Sequence, residues 1–331
     1  MKFLIIGLGS IGKRHILNLK RNGVKNSNIS GVDPRIDRIN ETKKIHDIGK
    51  CYKDLNQIKN FHFDAAIICS PTSLHISQAI ILANNKVNIF IEKPLNHNLN
   101  KVDTFKKIVK KNKLKVLITY PFRFSRHGMK LKEVVKENKL GKVLFFRGQF
   151  SEYLPDWHPY EDYRKFYMAK KELGGGSILD QSHLIDMCHF LFGEAKEILG
   201  CFNSRVSNLK VNTDDIVNMI IKFKNGIVGN IHQDMIGRSH KKNIEIICEN
   251  GSILWNVYSL SVEIYNAKSK KTKKFSYGKN HNLMYESQTK HMLEILSKKV
   301  KPKISLEDGI HTMKIISAAI KSNKLKKAIL V

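Results

Sequence analysis

Lys2-Phe3-Leu4-Ile5-Ile6 runs directly into Gly7-Leu8-Gly9-Ser10-Ile11-Gly12, and this junction decides the fold. The apolar run has the length of one buried strand and stops at a glycine. A helix is expected to follow it from about Ile11 to Asn22. Strand, glycine loop and helix in that order give the context a dinucleotide fingerprint requires. In such a loop Gly7 makes the tight turn, Gly9 lets the backbone approach a pyrophosphate, and Gly12 allows the helix to pack closely on the strand. The amides of Ser10 and Ile11 at the helix start are then free to hold phosphate oxygens.

Working outward, Asn28–Asp33 reads as the second strand, and Asp33 ends it at the distance where a carboxylate accepts from both ribose hydroxyls. That favours NAD. Arg35, two residues later, keeps NADP open, because an arginine there could meet a 2′-phosphate. Strand and helix continue to alternate: a polar helix, a strand at Phe63–Ser70, and a helix that Thr72 is expected to cap and that runs to about Asn85. A strand at Val87–Glu92, a helix at Leu99–Asn112 and a strand at Lys115–Thr119 complete the series. Such alternation gives a parallel sheet covered by helices on both faces.

Ile91-Glu92-Lys93-Pro94 closes one of these strands with a carboxylate, an amine and a proline. Pro94 cannot donate a ladder hydrogen bond, so the strand ends there. Lys93 is thereby placed at the carboxyl end of a parallel strand, where such sheets bind ligands. The character of the chain changes near Tyr120-Pro121. A helix at Met129–Asn138 and a long strand at Lys142–Ser151 precede a loop rich in Trp, Tyr, Pro and Asp, which ends in Gly174-Gly175-Gly176. Mostly strands follow from Glu194 to Lys274, with turns at Lys224-Asn225-Gly226 and Glu249-Asn250-Gly251. Helices at His281–Ser297 and Leu306–Ser322 end the chain. The expected division is 1–120 for cofactor binding and 121–331 for substrate binding and oligomerisation, with the C-terminal helix packing back towards the first domain.

The chain has 331 residues, 42% of them hydrophobic, so two domains with substantial cores fit. No apolar run approaches the roughly 20 residues that span a bilayer, and no secretory signal is present, so a cytoplasmic protein without a membrane partner is expected. A formal charge of +29 raises a nucleic-acid reading. The lysines are dispersed along the whole chain, however, with no zinc-finger or RRM signature and no basic arm, so no nucleic-acid partner is expected. Cys51, Cys69, Cys188, Cys201 and Cys248 form no C-x-x-C pair and read as buried thiols rather than disulfides or a metal site.

The chain resembles the glucose–fructose oxidoreductase/inositol dehydrogenase (Gfo/Idh/MocA) family. The resemblance covers essentially its whole length and rests on GLGSIGKRH at 7–15, SPTSLH at 70–75, IEKP at 91–94, GGG at 174–176 leading into DQSHLID at 180–186, and ENGSILW at 249–255. It implies an α/β fold: an N-terminal Rossmann doubly wound parallel sheet plus a C-terminal α+β domain with a large open, mostly antiparallel sheet. It further implies an NAD(P)-dependent oxidoreductase acting on CH–OH groups of a sugar, sugar derivative or cyclitol, working as a homodimer or homotetramer. On the cofactor side it adds Ser70, Pro71, Thr72, His75 and Glu92 to the glycine loop and Asp33. Glu92 is read either as a ribose or nicotinamide contact or as a salt-bridge partner, and His75 either as a cofactor neighbour or as surface packing. Lys93 matches the active-site lysine and Pro94 a proline that is often cis; Asp180 and His183 match an acid–histidine pair. Many members space that pair four apart, whereas here it is three. On one helix either spacing keeps both residues on the same face.

Removing a hydroxyl proton as hydride leaves the carbon suits a histidine whose pKa lies near neutrality. His183 is therefore the expected base, Asp180 its orienting partner, and Lys93 the stabiliser of developing alkoxide charge. For the substrate side, Arg123, Trp157, Tyr163, Arg164, His183 and Arg238, with His158 and Tyr160 in the same loop, suit a sugar ring bearing a carboxylate or phosphate. Packing at the domain interface is the competing role for this set. Two other functions share the fold: transient oxidation by tightly bound NAD in glycosidase or substrate-swapping chemistry, and a non-catalytic NAD sensor.

Overall fold

A computed structural model of the chain describes every residue except His158, Tyr160 and Lys299, so the expectations for His158 and Tyr160 lie outside the described residues. Two units result: Met1–Pro121 with Asn282–Ile310, and Phe122–His281 with His311–Val331.

In the first unit, β1 (Phe3–Ile6), β2 (Ile29–Val32), β3 (Cys51–Tyr52), β4 (Ala65–Ile68), β5 (Asn88–Glu92) and β6 (Val116–Thr119) form a sheet in the order β3-β2-β1-β4-β5-β6. All five pairings are parallel. Every residue of β1, β4 and β6 is buried, the pattern of strands covered on both faces. The cover comes from α1 (Ser10–Arg21), α2 (Ile36–His46), α3 (His75–Asn84) and α4 (Val102–Lys111). Strand order reverses between β1 and β4, and loops at their carboxyl ends flank the switch point where such sheets bind ligands.

Thr72 does not cap α3 as expected. A 3₁₀ turn over Thr72–Leu74, closed by the Leu74 amide on the Pro71 carbonyl (2.9 Å), leads into α3, which carries no side-chain cap. The tighter turn satisfies the backbone that a capping hydroxyl would have served, and Thr72 itself is buried.

The second unit is built on nine strands: β7 (Val143–Tyr153), β8 (Ala195–Ser204), β9 (Ile216–Phe223), β10 (Val228–Asp234), β11 (Ile236–Cys248), β12 (Gly251–Asn256), β13 (Ser261–Asn266), β14 (Lys271–Ser276) and β15 (Ile329–Leu330). Their order is β14-β13-β12-β11-β7-β10-β9-β8-β15. β7 and β10 run parallel; the other pairs are antiparallel. Helix α5 (Arg126–Glu137) packs on β12 and β13, α6 (Ser177–Asp180) on β9 and β10, and α7 (His183–Phe192) on β7.

Alternation along β9 follows from this one-sided cover: Val217, Met219, Ile221 and Phe223 are buried, while Ile220 stays 45% exposed. Phe122, Phe150 and Trp255 pack edge and face in the core beneath the helices. A second cluster of Leu154, Phe166, Met168, Ala169, Leu209, Val211 and Met235 lies under the aromatic loop.

Of the last two helices, α8 (Leu283–Ser297) returns to the first unit, where the Arg14 guanidinium lies 4.6 Å over the Tyr285 ring and Arg21 pairs with Glu286. The chain continues through α9 (Leu306–Leu325). No helix among the described residues is long and apolar enough to cross a membrane.

Candidate active-site residues

The three loop glycines have separable causes. Gly7 sits at φ +93, and a Cβ there would lie 2.5 Å from the Cys69 carbonyl oxygen. At Gly12 a Cβ would come within 2.0 Å of the Gly7 carbonyl oxygen, so α1 could not close onto the loop. A Cβ at Gly9 meets nothing nearer than the tip of Arg38, at 3.6 Å. Packing therefore explains Gly7 and Gly12 but does not demand Gly9. What a side chain at Gly9 would fill is the space over the start of α1, which has no side-chain cap and no acidic residue in its first turn. The first amides of a helix have no intrahelical partner, so those after Gly9 form a cradle for an anion. The loop fits the diphosphate of a dinucleotide.

Asp33 is buried, and both its oxygens are engaged by backbone: Oδ2 accepts from the Leu8 amide (2.8 Å) and Oδ1 from the Arg35 amide (2.9 Å). The glycine loop is thus tied to the end of β2, while each oxygen keeps accepting capacity for a ribose hydroxyl. The Arg35 side chain turns to Asp37, donating from Nε at 3.2 Å. The guanidinium beside Asp33 is that of Arg38, with Nη1 3.7 Å from Oδ2. Sequence reading missed Arg38; its only signal was a position in the first turn of the helix after Asp33.

The segment after β4 is tied to the segment after β5. The His75 ring is buried rather than on the surface, with Nδ1 2.9 Å from the Pro94 carbonyl oxygen and Nε2 2.9 Å from that of Ser70. Burial lowers the His75 pKa against these two carbonyls, which favour the charged ring. Ser70 Oγ donates to Gln78 (2.6 Å). Glu92 is buried, and its Oε1 lies 2.7 Å from His15 Nε2. Burial alone would raise the Glu92 pKa. Hydrogen bonds from His15 and Thr119, with the charges of His15 and Lys93, outweigh it and hold the carboxyl below its usual range. Lys93 is partly exposed, and the Lys93–Pro94 peptide is cis. His15 is a second residue that sequence reading did not single out.

In the second unit the acid–histidine segment differs from expectation. Asp180 ends α6 and His183 begins α7, with the helix interrupted at Gln181 and Ser182, so the two residues do not share one continuous helical face. The break follows Gln181, whose side-chain amide donates to the Asp234 carbonyl (2.8 Å). Its backbone amide keeps the helical bond to the Ser177 carbonyl (3.0 Å), but its backbone carbonyl is shared between the Gln233 side chain (2.6 Å) and the Leu184 amide (3.0 Å), which closes a tighter turn in place of the helical one. Tyr167 Oη donates to Asp180 Oδ1. The His183 ring rests against Phe122, centroids 5.0 Å apart. Asp214 accepts from the Ile178 amide at 2.9 Å, capping α6. Burial raises the Asp214 pKa to about 6, against that bond. Neither Tyr167 nor Asp214 carried a sequence signal.

Arg123 is buried and makes a bidentate pair with Asp186, Nε to Oδ2 at 2.9 Å and Nη2 to Oδ1 at 2.7 Å. Trp157 and Tyr163 pack against the cluster under the aromatic loop, and the Tyr163 hydroxyl accepts from the Lys210 amide (3.1 Å). Arg164 pairs with Asp162 at the surface, and the Arg238 guanidinium lies 3.5 Å over the Tyr153 ring.

Two family models match this chain in succession. Residues 1–120 match the oxidoreductase family, NAD-binding Rossmann fold, and residues 129–254 match the GFO/IDH/MocA C-terminal domain. The chain belongs to the GFO/IDH/MocA oxidoreductase family. It is an NAD(P)-dependent oxidoreductase, and residues 1–120 match the family's NAD-binding domain. Among GFO/IDH/MocA relatives, myo-inositol 2-dehydrogenase of Thermotoga maritima is 28% identical over 99% of this chain and 98% of that protein. The NAD⁺-dependent scyllo-inositol 2-dehydrogenase of Bacillus subtilis is 25% identical over 75% of this chain and 72% of its own length. Levoglucosan dehydrogenase, solved with NADH and levoglucosan, has the same fold at a TM-score of 0.88, with 20% identity, 100% of this chain and 99% of that one covered.

Proposed function

We propose that the protein interconverts a secondary hydroxyl and a ketone on a sugar or cyclitol, with NAD as the preferred cofactor. The observation that carries the reading is Gly9: a glycine that packing does not require, over uncapped helix amides and beside an Asp33 whose oxygens can still accept. Gly7, Gly9 and Gly12 with the amides of Ser10 and Ile11 would hold the diphosphate, and Asp33 the adenosine ribose. Bound there, the nicotinamide supplies hydride exchange with carbon. The inositol dehydrogenases matched over most of the chain support a polyol ring as substrate.

On this reading His183 accepts the hydroxyl proton at an imidazole nitrogen, and Asp180 stabilises the resulting imidazolium. Lys93 donates to the substrate oxygen and offsets negative charge as it develops there. A homodimer or homotetramer, formed through the uncovered face of the nine-stranded sheet, completes the proposal; half-exposed Phe202 and Ile220 on adjacent strands support it.

A panel of cyclitols, aldoses, uronic acids and nucleotide sugars, followed by NADH absorbance, tests the reaction. Net NADH with at least one polyol is expected, and turnover with none would sink the reading. Lys93→Met should abolish turnover, a loss of roughly a thousandfold or more for a preorganised electrostatic contact, while NAD affinity measured by calorimetry changes less than about twofold. A Met variant that keeps most of its activity removes Lys93 from the mechanism.

A further inference from the structure

The loop before α6 brings together two side chains that lie 13 residues apart. Gly175 and Gly176 make this possible. A Cβ at Gly175 would sit 2.4 Å from the carbonyl oxygens of both Tyr167 and Met168, and the Gly176 amide donates to the Met168 carbonyl at 3.0 Å. The 3₁₀ turn Tyr167–Ala169 can therefore lie directly against the start of α6. That turn is itself anchored. Met168 and Ala169 are part of the buried cluster under the aromatic loop, Thr213 Oγ1 donates to the Met168 carbonyl (3.2 Å), and the Asn212 amide donates to that of Ala169 (3.1 Å). From this fixed base the Tyr167 phenol reaches Asp180 and donates to Oδ1.

We propose that Tyr167 is a positioning residue for the Asp180 carboxylate. This inference rests on the reading that Asp180 serves the proton step, and deepens it. A phenol carries only two side-chain torsions, so on an anchored turn it holds its acceptor with little freedom. One oxygen of Asp180 is thereby fixed and the carboxylate plane is set. Gly175 of the triple glycine, read in the sequence only as a lead-in to the acid–histidine segment, acquires a cause: it admits the backbone that carries this tyrosine.

Other charged groups belong to the elements around α6. Asp214 caps its start, Lys222 lies on β9, His232 and Asp234 pair with each other on β10 (2.7 Å), and His183 opens α7. None of them is changed by Tyr167→Phe, which removes one hydroxyl and leaves the ring to pack. The direct test follows the Asp180 carboxyl by ¹³C NMR, its signal assigned by loss in Asp180→Asn. In Tyr167→Phe that signal should move at one fixed neutral pH, because the carboxylate loses the hydrogen bond it accepts. An unmoved signal overturns the proposal.

Kinetics with a polyol turned over by the wild type supply the second arm. Tyr167→Phe should lower kcat by roughly ten- to a hundredfold, with KM and NAD affinity within about twofold. The double variant with Asp180→Asn should be no slower than Asp180→Asn alone. Losses that multiply in the double variant would mean that Tyr167 acts independently of Asp180, and the proposal fails. An Asp180→Asn enzyme with wild-type kcat would instead refute the catalytic reading of Asp180, whatever the NMR signal does in Tyr167→Phe.

Discussion

Asp33 and Asp180 are both carboxylates at the end of a regular element, yet they are held in opposite ways. Asp33 is gripped by backbone amides, from Leu8 and Arg35, so its position follows from the path of the chain around the glycine loop. Asp180 is held by a phenol that arrives on a separately anchored turn. Backbone grips need only a local motif and survive most side-chain change. A side-chain grip depends on how a distant segment packs. The first unit builds its candidate site largely in the first way, and the second unit in the second.

The largest effect that would break this contrast lies at Arg123 and Asp186, a buried ion pair in the second unit. Removing one partner leaves the other charged, dry and uncompensated, which costs about 3–5 kcal/mol. Arg123→Met and Asp186→Asn should each lower stability in urea by roughly that amount. The Arg123→Met/Asp186→Leu double variant should recover much of the loss, since buried pairs often gain little over apolar packing. Single variants that unfold like the wild type would mean the second unit does not depend on its side-chain grips.

Two glycines sharpen the first half of the comparison. Gly12→Ala sets a Cβ 2.0 Å from a backbone oxygen and should destabilise by about 1–3 kcal/mol through overpacking, seen in the thermal midpoint. Gly9→Ala meets only a flexible side-chain tip at 3.6 Å, on backbone at φ −72 that alanine adopts readily, so its midpoint should barely move. Its NAD affinity should fall by roughly tenfold or more, because the methyl occupies the approach to the amides. Should Gly9→Ala bind NAD as the wild type does, the anion cradle is not where the loop places it.

The same distinction sets what could be read from the chain alone. Gly7, Gly9, Gly12 and Asp33 fall within one strand–helix–strand stretch, and their spacing expresses constraints that act locally. The parallel sheet, its strand limits within a few residues, and the mixed sheet after it were legible because hydrophobic period and turn residues record burial directly. Tyr167, Asp214 and Arg38 were not legible, since nothing near them in sequence marks the partner that folding supplies. Thr72 and the Asp180–His183 spacing were misread for one reason: regular helix geometry was assumed where a 3₁₀ turn, and the turn at Gln181 whose carbonyl is shared between Leu184 and Gln233, interrupt it. Arg35 and Arg38 show the limit at its finest, because sequence could place an arginine after Asp33 but not say which one would turn towards it.

The smallest expected effect concerns Asp214, which caps α6 through a backbone amide but does so as a buried charge. Burial raises its pKa from 3.8 to about 6, against the hydrogen bond from Ile178. Between those two values the folded protein binds the proton that the unfolded chain has released. The contribution to stability is therefore complete below about pH 4 and is lost as pH rises through about 6. Asp214→Asn keeps an oxygen for the Ile178 amide and removes the titration. Relative to wild type, the Asn variant should gain stability as pH is raised from about 4 to 7, by a few degrees at most in thermal midpoint. A difference that stays constant across that range would mean Asp214 is ionised in the folded state throughout, and that α6 is capped by a carboxylate with enough solvent or partner charge to keep its ordinary acidity.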